Sequence, residues 1–79
     1  MPTLLLVKGF RFFFYSNETN EPPHIHVRRG DAGGKIWLEP AAVIAWLHGF
    51  TRSEEREIKE ILEIHGETFK NKWYEYFGK

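Results

Sequence analysis

The chain has 79 residues, no cysteine, and 11 Lys/Arg balanced by 11 Asp/Glu. That length allows a single domain over residues 1–79 with one small core, and the missing thiols exclude disulfides and thiolate zinc sites. A formal charge of zero excludes a bulk polycation, so any anion binding has to come from a local patch.

The charge is uneven along the chain. Met1–Arg52 carries six Lys/Arg against four Asp/Glu, and Ser53–Lys79 carries five against seven. A chain this short usually draws on more than an ordinary core. The candidates are its aromatic content of 16%, a partner chain, or a metal held by histidine and carboxylate. The apolar run Leu4–Val7 is too short for a signal segment, and Ala41–Leu47 is far below the ~20 residues of a membrane span. The expectation is a cytoplasmic protein with no membrane partner.

In chain order, Thr3–Val7 is predicted as a first strand and Phe10–Tyr15 as a second, joined by a hairpin at Lys8-Gly9. Ser16–Pro23 is a loop by composition, and Pro22-Pro23 fixes the approach to the next strand. His24–Arg29 is the third strand. Gly30–Gly34 is a flexible turn, and Lys35–Glu39 is the fourth strand, broken by Pro40. Ala41–His48 is ambiguous: Ala41-Ala42 and Leu47 favour helix, while Val43, Ile44 and Trp46 favour strand, and we take a fifth strand over 42–47. Thr51-Arg52-Ser53-Glu54 has the spacing of a capping box and opens a helix over Arg52–Phe77. Apolar residues Ile58, Ile61, Leu62, Phe69, Trp73 and Phe77 recur on one face of it, with His65 on the same stripe. Gly66 weakens its middle and Gly78 ends it. Strands first and one helix last give an α+β fold: a small antiparallel β-meander of four or five strands with a long C-terminal helix packed on one face. A helix-turn-helix reading fails, because the second helix begins Arg52-Ser53-Glu54-Glu55-Arg56-Glu57 and its carboxylates repel a DNA backbone.

Pro23-His24-Ile25-His26-Val27-Arg28-Arg29 is the most informative stretch. Side chains alternate along a strand, so His24, His26 and Arg28 point one way and Ile25 and Val27 the other. If Phe10, Phe12, Phe14, Ile25, Val27, Ile36 and Leu38 face the helix, then Arg11, Phe13, Tyr15, His24, His26, Arg28, Lys35, Trp37 and Glu39 share the opposite face. A β-bulge would flip part of that assignment.

Phe13-Phe14-Tyr15-Ser16-Asn17-Glu18, then Asn20, then Pro22-Pro23-His24-Ile25-His26-Val27 and the Gly30-Asp31 turn resemble the small prokaryotic family catalogued as domain of unknown function 4160. Met1-Pro2-Thr3, Trp37-Leu38-Glu39-Pro40, Gly49-Phe50-Thr51 and Trp73-Tyr74-Glu75-Tyr76-Phe77-Gly78 extend the likeness over essentially the whole chain. The resemblance implies the product of a two-gene, toxin–antitoxin-like unit acting beside a small partner protein. It implies no catalytic residues, and the Arg28-Arg29 pair sits where members vary.

Four chemistries compete for the patch. The first is single-stranded RNA binding, with Arg11, Tyr15, Lys35 and Trp37 as ligand contacts. It extends to metal-independent ribonuclease chemistry in which His24 and His26 exchange protons and Arg28 steadies the phosphorane. The second is a zinc or other transition-metal site on His24 and His26, with Glu39, His48, His65 or Glu18 as third ligand. The third is an interface with a homodimer mate or a small cognate protein, because Phe13, Tyr15 and Trp37 form a face too apolar to stay wet. The fourth makes both histidines structural, bonded to the Asn-rich loop or to Glu39. His65 is expected to be a half-buried packing residue, His48 a turn residue, and Trp73 with Tyr76-Phe77 the clamp that pins the helix end to the sheet.

Overall fold

The structure, a computed structural model, describes residues 3–16 and 20–78. Glu18, one candidate metal ligand, lies outside the described residues, as do Met1, Pro2, Asn17, Thr19 and Lys79. The elements are β1 (Thr3–Val7), β2 (Phe10–Phe13), β3 (His24–Arg29), β4 (Ala32–Trp37), β5 (Val43–His48) and α1 (Arg52–Phe77). The strands form one antiparallel sheet in the order β1-β2-β3-β4-β5. This is the α+β meander with a C-terminal helix that the sequence predicts.

Five boundaries move, two of them in the fifth strand, which runs Val43–His48 rather than 42–47. β2 ends at Phe13, two residues before Tyr15. β4 begins at Ala32 rather than Lys35 and ends at Trp37. The Gly30–Gly34 turn shrinks to Gly30-Asp31, because Gly30 adopts φ +59° and lets two residues reverse the chain. Gly33 and Gly34 thereby enter the ladder opposite Arg28 and Val27. Gly34 sits where strands crowd together: a Cβ there would collide with Leu47 Cδ2 and lie 2.8 Å from the Trp46 carbonyl oxygen. The ambiguous segment before Gly49 is the edge strand β5, so its β-branched residues and Trp46 outweigh its alanines.

Alternation places Phe10, Phe12, Ile25, Val27 and Ile36 on one face, fully buried, with Phe14 and Leu38 continuing that face past the strand ends. Helix α1 covers them with Ile58, Ile61, Leu62, Phe69 and Trp73. Phe12 stacks on Phe69 at 5.3 Å between centroids, and Phe14 meets Trp73 at 5.4 Å and Phe77 at 5.3 Å. His65 is half-buried beside Phe69, as expected of a packing residue.

The capping box forms as its spacing predicts. Glu54 N donates to Thr51 Oγ1 at 3.1 Å, and Thr51 N donates to Glu54 Oε1 at 2.8 Å. The other Glu54 oxygen accepts from Arg29 Nη1 at 3.1 Å, and the Arg29 guanidinium lies 5.1 Å from the Phe10 ring centre. At the far end Gly78 takes φ +73° and its N–H donates to the Tyr74 carbonyl at 2.8 Å. Among the described residues no helix is long and apolar enough to cross a membrane.

Phe69→Ala removes the ring that covers the sheet centre. It is expected to cost about 3–5 kcal/mol in urea unfolding, whereas Thr51→Ala is expected to cost about 1 kcal/mol.

Candidate functional site on the open sheet face

The face away from α1 is organised in rows by strand register. One row reads Arg11, Arg28, Gly33, His48, and the next reads Phe13, His26, Lys35, Trp46. Adjacent strands are about 4.8 Å apart, so Arg28 and His48 flank Gly33 with their Cα atoms roughly 10 Å apart. Gly33 contributes no side chain, and a Cβ on it would have only ordinary contact, with the Val27 carbonyl oxygen at 3.6 Å. The result is a concavity of about 280 Å³ lined by Phe13, Tyr15, His26, Arg28, Trp46 and His48, with Asp31 at its rim.

The rings of this surface support one another. Phe13 is on the open face yet only 1% exposed. His26 stacks on it at 5.6 Å, Tyr15 meets its edge at 5.4 Å, and the Arg11 guanidinium covers it at 5.0 Å. Phe13, expected to need cover from a partner, is therefore sealed by its own polar neighbours. Arg11 Nε also donates to Thr3 Oγ1 at 3.1 Å. Lys35 Nζ donates to Glu21 Oε1 at 2.7 Å and lies 4.3 Å from the centre of the Trp37 ring. Arg28 has no ion pair among the described residues, so its charge is the one most available to an incoming anion. Trp46, 51% exposed, presents a ring beside it.

His24 departs from the sequence expectation. It was placed beside His26 facing water, but it is 0% exposed. Its ring is 5.0 Å from Trp73 of α1, 5.6 Å from Trp37 and 5.3 Å from His26. As the first residue of β3, it lies where the helix end overhangs the sheet, and Trp73 closes over it. Its Nδ1 donates to the Pro22 carbonyl at 2.9 Å, which fixes the tautomer with the proton on Nδ1. Glu21 Oε1 is 3.8 Å from the same nitrogen and links it to Lys35. His24 is thus a clamp between helix and open face, and only His26 of the pair reaches the groove.

Glu39 also departs. It was assigned to the histidine face, but it lies beyond β4 and its carboxylate accepts a hydrogen bond from the Tyr74 hydroxyl of α1. That bond, then burial, then the carboxylate charge hold the Tyr74 phenol above its ordinary pKa of 10. Among the described residues no three His, Asp or Glu side chains converge as a metal site would need. His24, His26 and Glu39 are accordingly not brought together.

Sequence reasoning missed Trp46 and Gly33, and it named His48 as a candidate third metal ligand rather than as part of this face. Ile36 pairs with Ile44, but Lys35 pairs with Trp46, so Ala45 is a bulge. The bulge reverses the phase of β5 and sends Trp46 and His48 to the open face. Simple alternation from Val43 would have sent Ala45 and Leu47 there. His48, expected in a turn, is the last residue of β5.

A family model described as Domain of unknown function (DUF4160) matches residues 9–74. The chain belongs to the DUF4160 family. The matched span covers β2 through most of α1 and contains the whole groove. No curated protein and no solved structure matches this DUF4160 chain.

The two histidines are expected to behave differently on substitution. His24→Ala should lower unfolding free energy by about 2–4 kcal/mol, by analogy with large-to-small core changes, and His26→Ala by less than half of that. Chemical denaturation of both variants measures the contrast. Tyr74→Phe should remove an absorbance titration step lying above pH 10. Because the folded-state pKa is raised, the stability this phenol contributes is fully present below pH 10 and lost as pH climbs through its folded value.

Proposed function

We propose that the open sheet face binds single-stranded RNA, as the working surface of one component of a toxin–antitoxin-like, two-gene module in the prokaryotic cytoplasm. The groove carries the reading. Its exposed Trp46 and Tyr15 rings offer stacking surfaces for bases, and Arg28, with Arg11 and His48 in the same row, offers positive charge to phosphates. The Gly33 floor leaves room for a planar base between them. Lys35 and Trp37, already engaged with Glu21 and with each other, stand outside the groove lining and are not primary contacts.

Ribonuclease chemistry on His24 and His26 is the weaker part of the sequence reading. A general acid must reach the leaving oxygen, and His24 is enclosed by Trp73. Of the residues proposed for catalysis, His26 and Arg28 remain in the groove, and we assign them to binding. The reading requires no metal.

Fluorescence anisotropy with a labelled oligouridine tests it. Affinity should fall steeply with salt, and Arg28→Ala should weaken binding and reduce the salt slope by about one. Trp46→Ala should cost about 1–3 kcal/mol of binding through lost stacking. Gly33→Val should block the groove without unfolding the sheet. Binding that is absent at low salt, or that all three variants leave unchanged, overturns the reading.

A further inference from the structure

A second surface lies along the outer edge of β5, the strand whose Trp46 and His48 also line the open-face groove. β5 has a strand neighbour on one side only, so its outer backbone N–H and C=O groups have no strand partner among the described residues. Exposed edges are usually protected by lysine, proline or charge. Val43–Leu47 has none of these, and Val43 is 53% exposed. Beside this edge the molecule has a cavity of about 550 Å³ lined by Ala42, Val43, Ile44 and Leu62, with Lys59 and Glu63 of α1 above them.

The helix flank over this edge has a polarity of its own. Arg56, Lys59 and Glu63 follow one another at spacings of three and four, which puts them on one stripe of α1. Glu67 continues the stripe but is held by Lys70 at 3.2 Å within the chain. Turned about a two-fold axis, the stripe meets itself in reverse, and Lys59 faces Glu63 of a second copy. The same rotation sets two β5 edges antiparallel, which is the only way an isologous contact can extend a sheet.

We infer that this protein forms a two-fold homodimer through the β5 edge and the adjoining α1 flank, giving a continuous ten-stranded sheet with both helices on one side. Edge hydrogen bonds and the apolar cavity supply the attraction. The reversed charge stripe sets the orientation, because a parallel arrangement would put Lys59 against Lys59 and Glu63 against Glu63. The opposite edge lacks this pairing: near β1 the helix offers Lys72 and Glu75, which face each other at 4.0 Å within one chain.

Sedimentation equilibrium on the full chain tests the inference. The wild type should be a dimer well above micromolar concentration. Val43→Lys changes an exposed residue and should keep the circular dichroism spectrum while raising the dimer dissociation constant about tenfold or more. Lys59→Glu alone should weaken the dimer, and the charge swap Lys59→Glu/Glu63→Lys should restore it. A wild type that stays monomeric overturns the inference. So does a dimer that ignores Val43→Lys but breaks with Leu6→Lys on β1, or a charge swap as weak as Lys59→Glu alone. RNA binding is read separately by anisotropy, so the two proposals fail independently.

Discussion

Burial of one sheet face beneath a single helix sets the phase of everything else in this molecule. Phe10, Phe12, Phe14, Ile25, Val27 and Ile36 are held against Ile58, Leu62, Phe69 and Trp73. A strand residue has only two directions to point, so committing these side chains to the helix commits Arg11, Phe13, His26, Arg28 and Lys35 to the other side. The open face is thus a by-product of core formation. Its residues are arranged by register, and the rows across β2, β3, β4 and β5 follow from pairings made for the sake of the buried face.

That face is chemically unusual because its apolar component is hidden by its own polar neighbours. Phe13 lies beneath an imidazole, a phenol and a guanidinium. Such a surface can be aromatic in character without being sticky, and its exposed rings, Tyr15 and Trp46, line the same groove as Arg28, which has no ion pair among the described residues. His24 belongs to the same network from below. It joins Trp73 on the helix to Trp37 and His26 on the sheet, so the groove wall and the helix end share one packing unit.

Much of this was legible in the chain itself, and the exceptions have physical causes. The helix was readable because the capping box, the apolar stripe and the closing Gly78 all agree over Arg52–Phe77. β3 was readable because Ile25 and Val27 alternate cleanly with His26 and Arg28. His24 was misplaced because alternation describes the middle of a strand, and the overhang of Trp73 beyond the sheet end is a tertiary fact with no local signal. Trp46 and His48 were not assigned to this face because a bulge at Ala45 shifts phase by one residue, and nothing in Val43-Ile44-Ala45-Trp46 marks it. Glu39 was assigned by extending β4 two residues too far, when Pro40 had already turned the chain toward Tyr74.

Glu54 deserves a last consequence. One carboxylate closes the helix cap with one oxygen and holds Arg29, at the tip of the β3–β4 hairpin, with the other. Fraying of the first helical turn therefore removes one restraint on the hairpin end, and loosening of the hairpin removes one restraint on the capping carboxylate. The bond ties together segments 25 residues apart in sequence, and as an exposed ion pair it adds about 0–1 kcal/mol to the opening free energy that the two share.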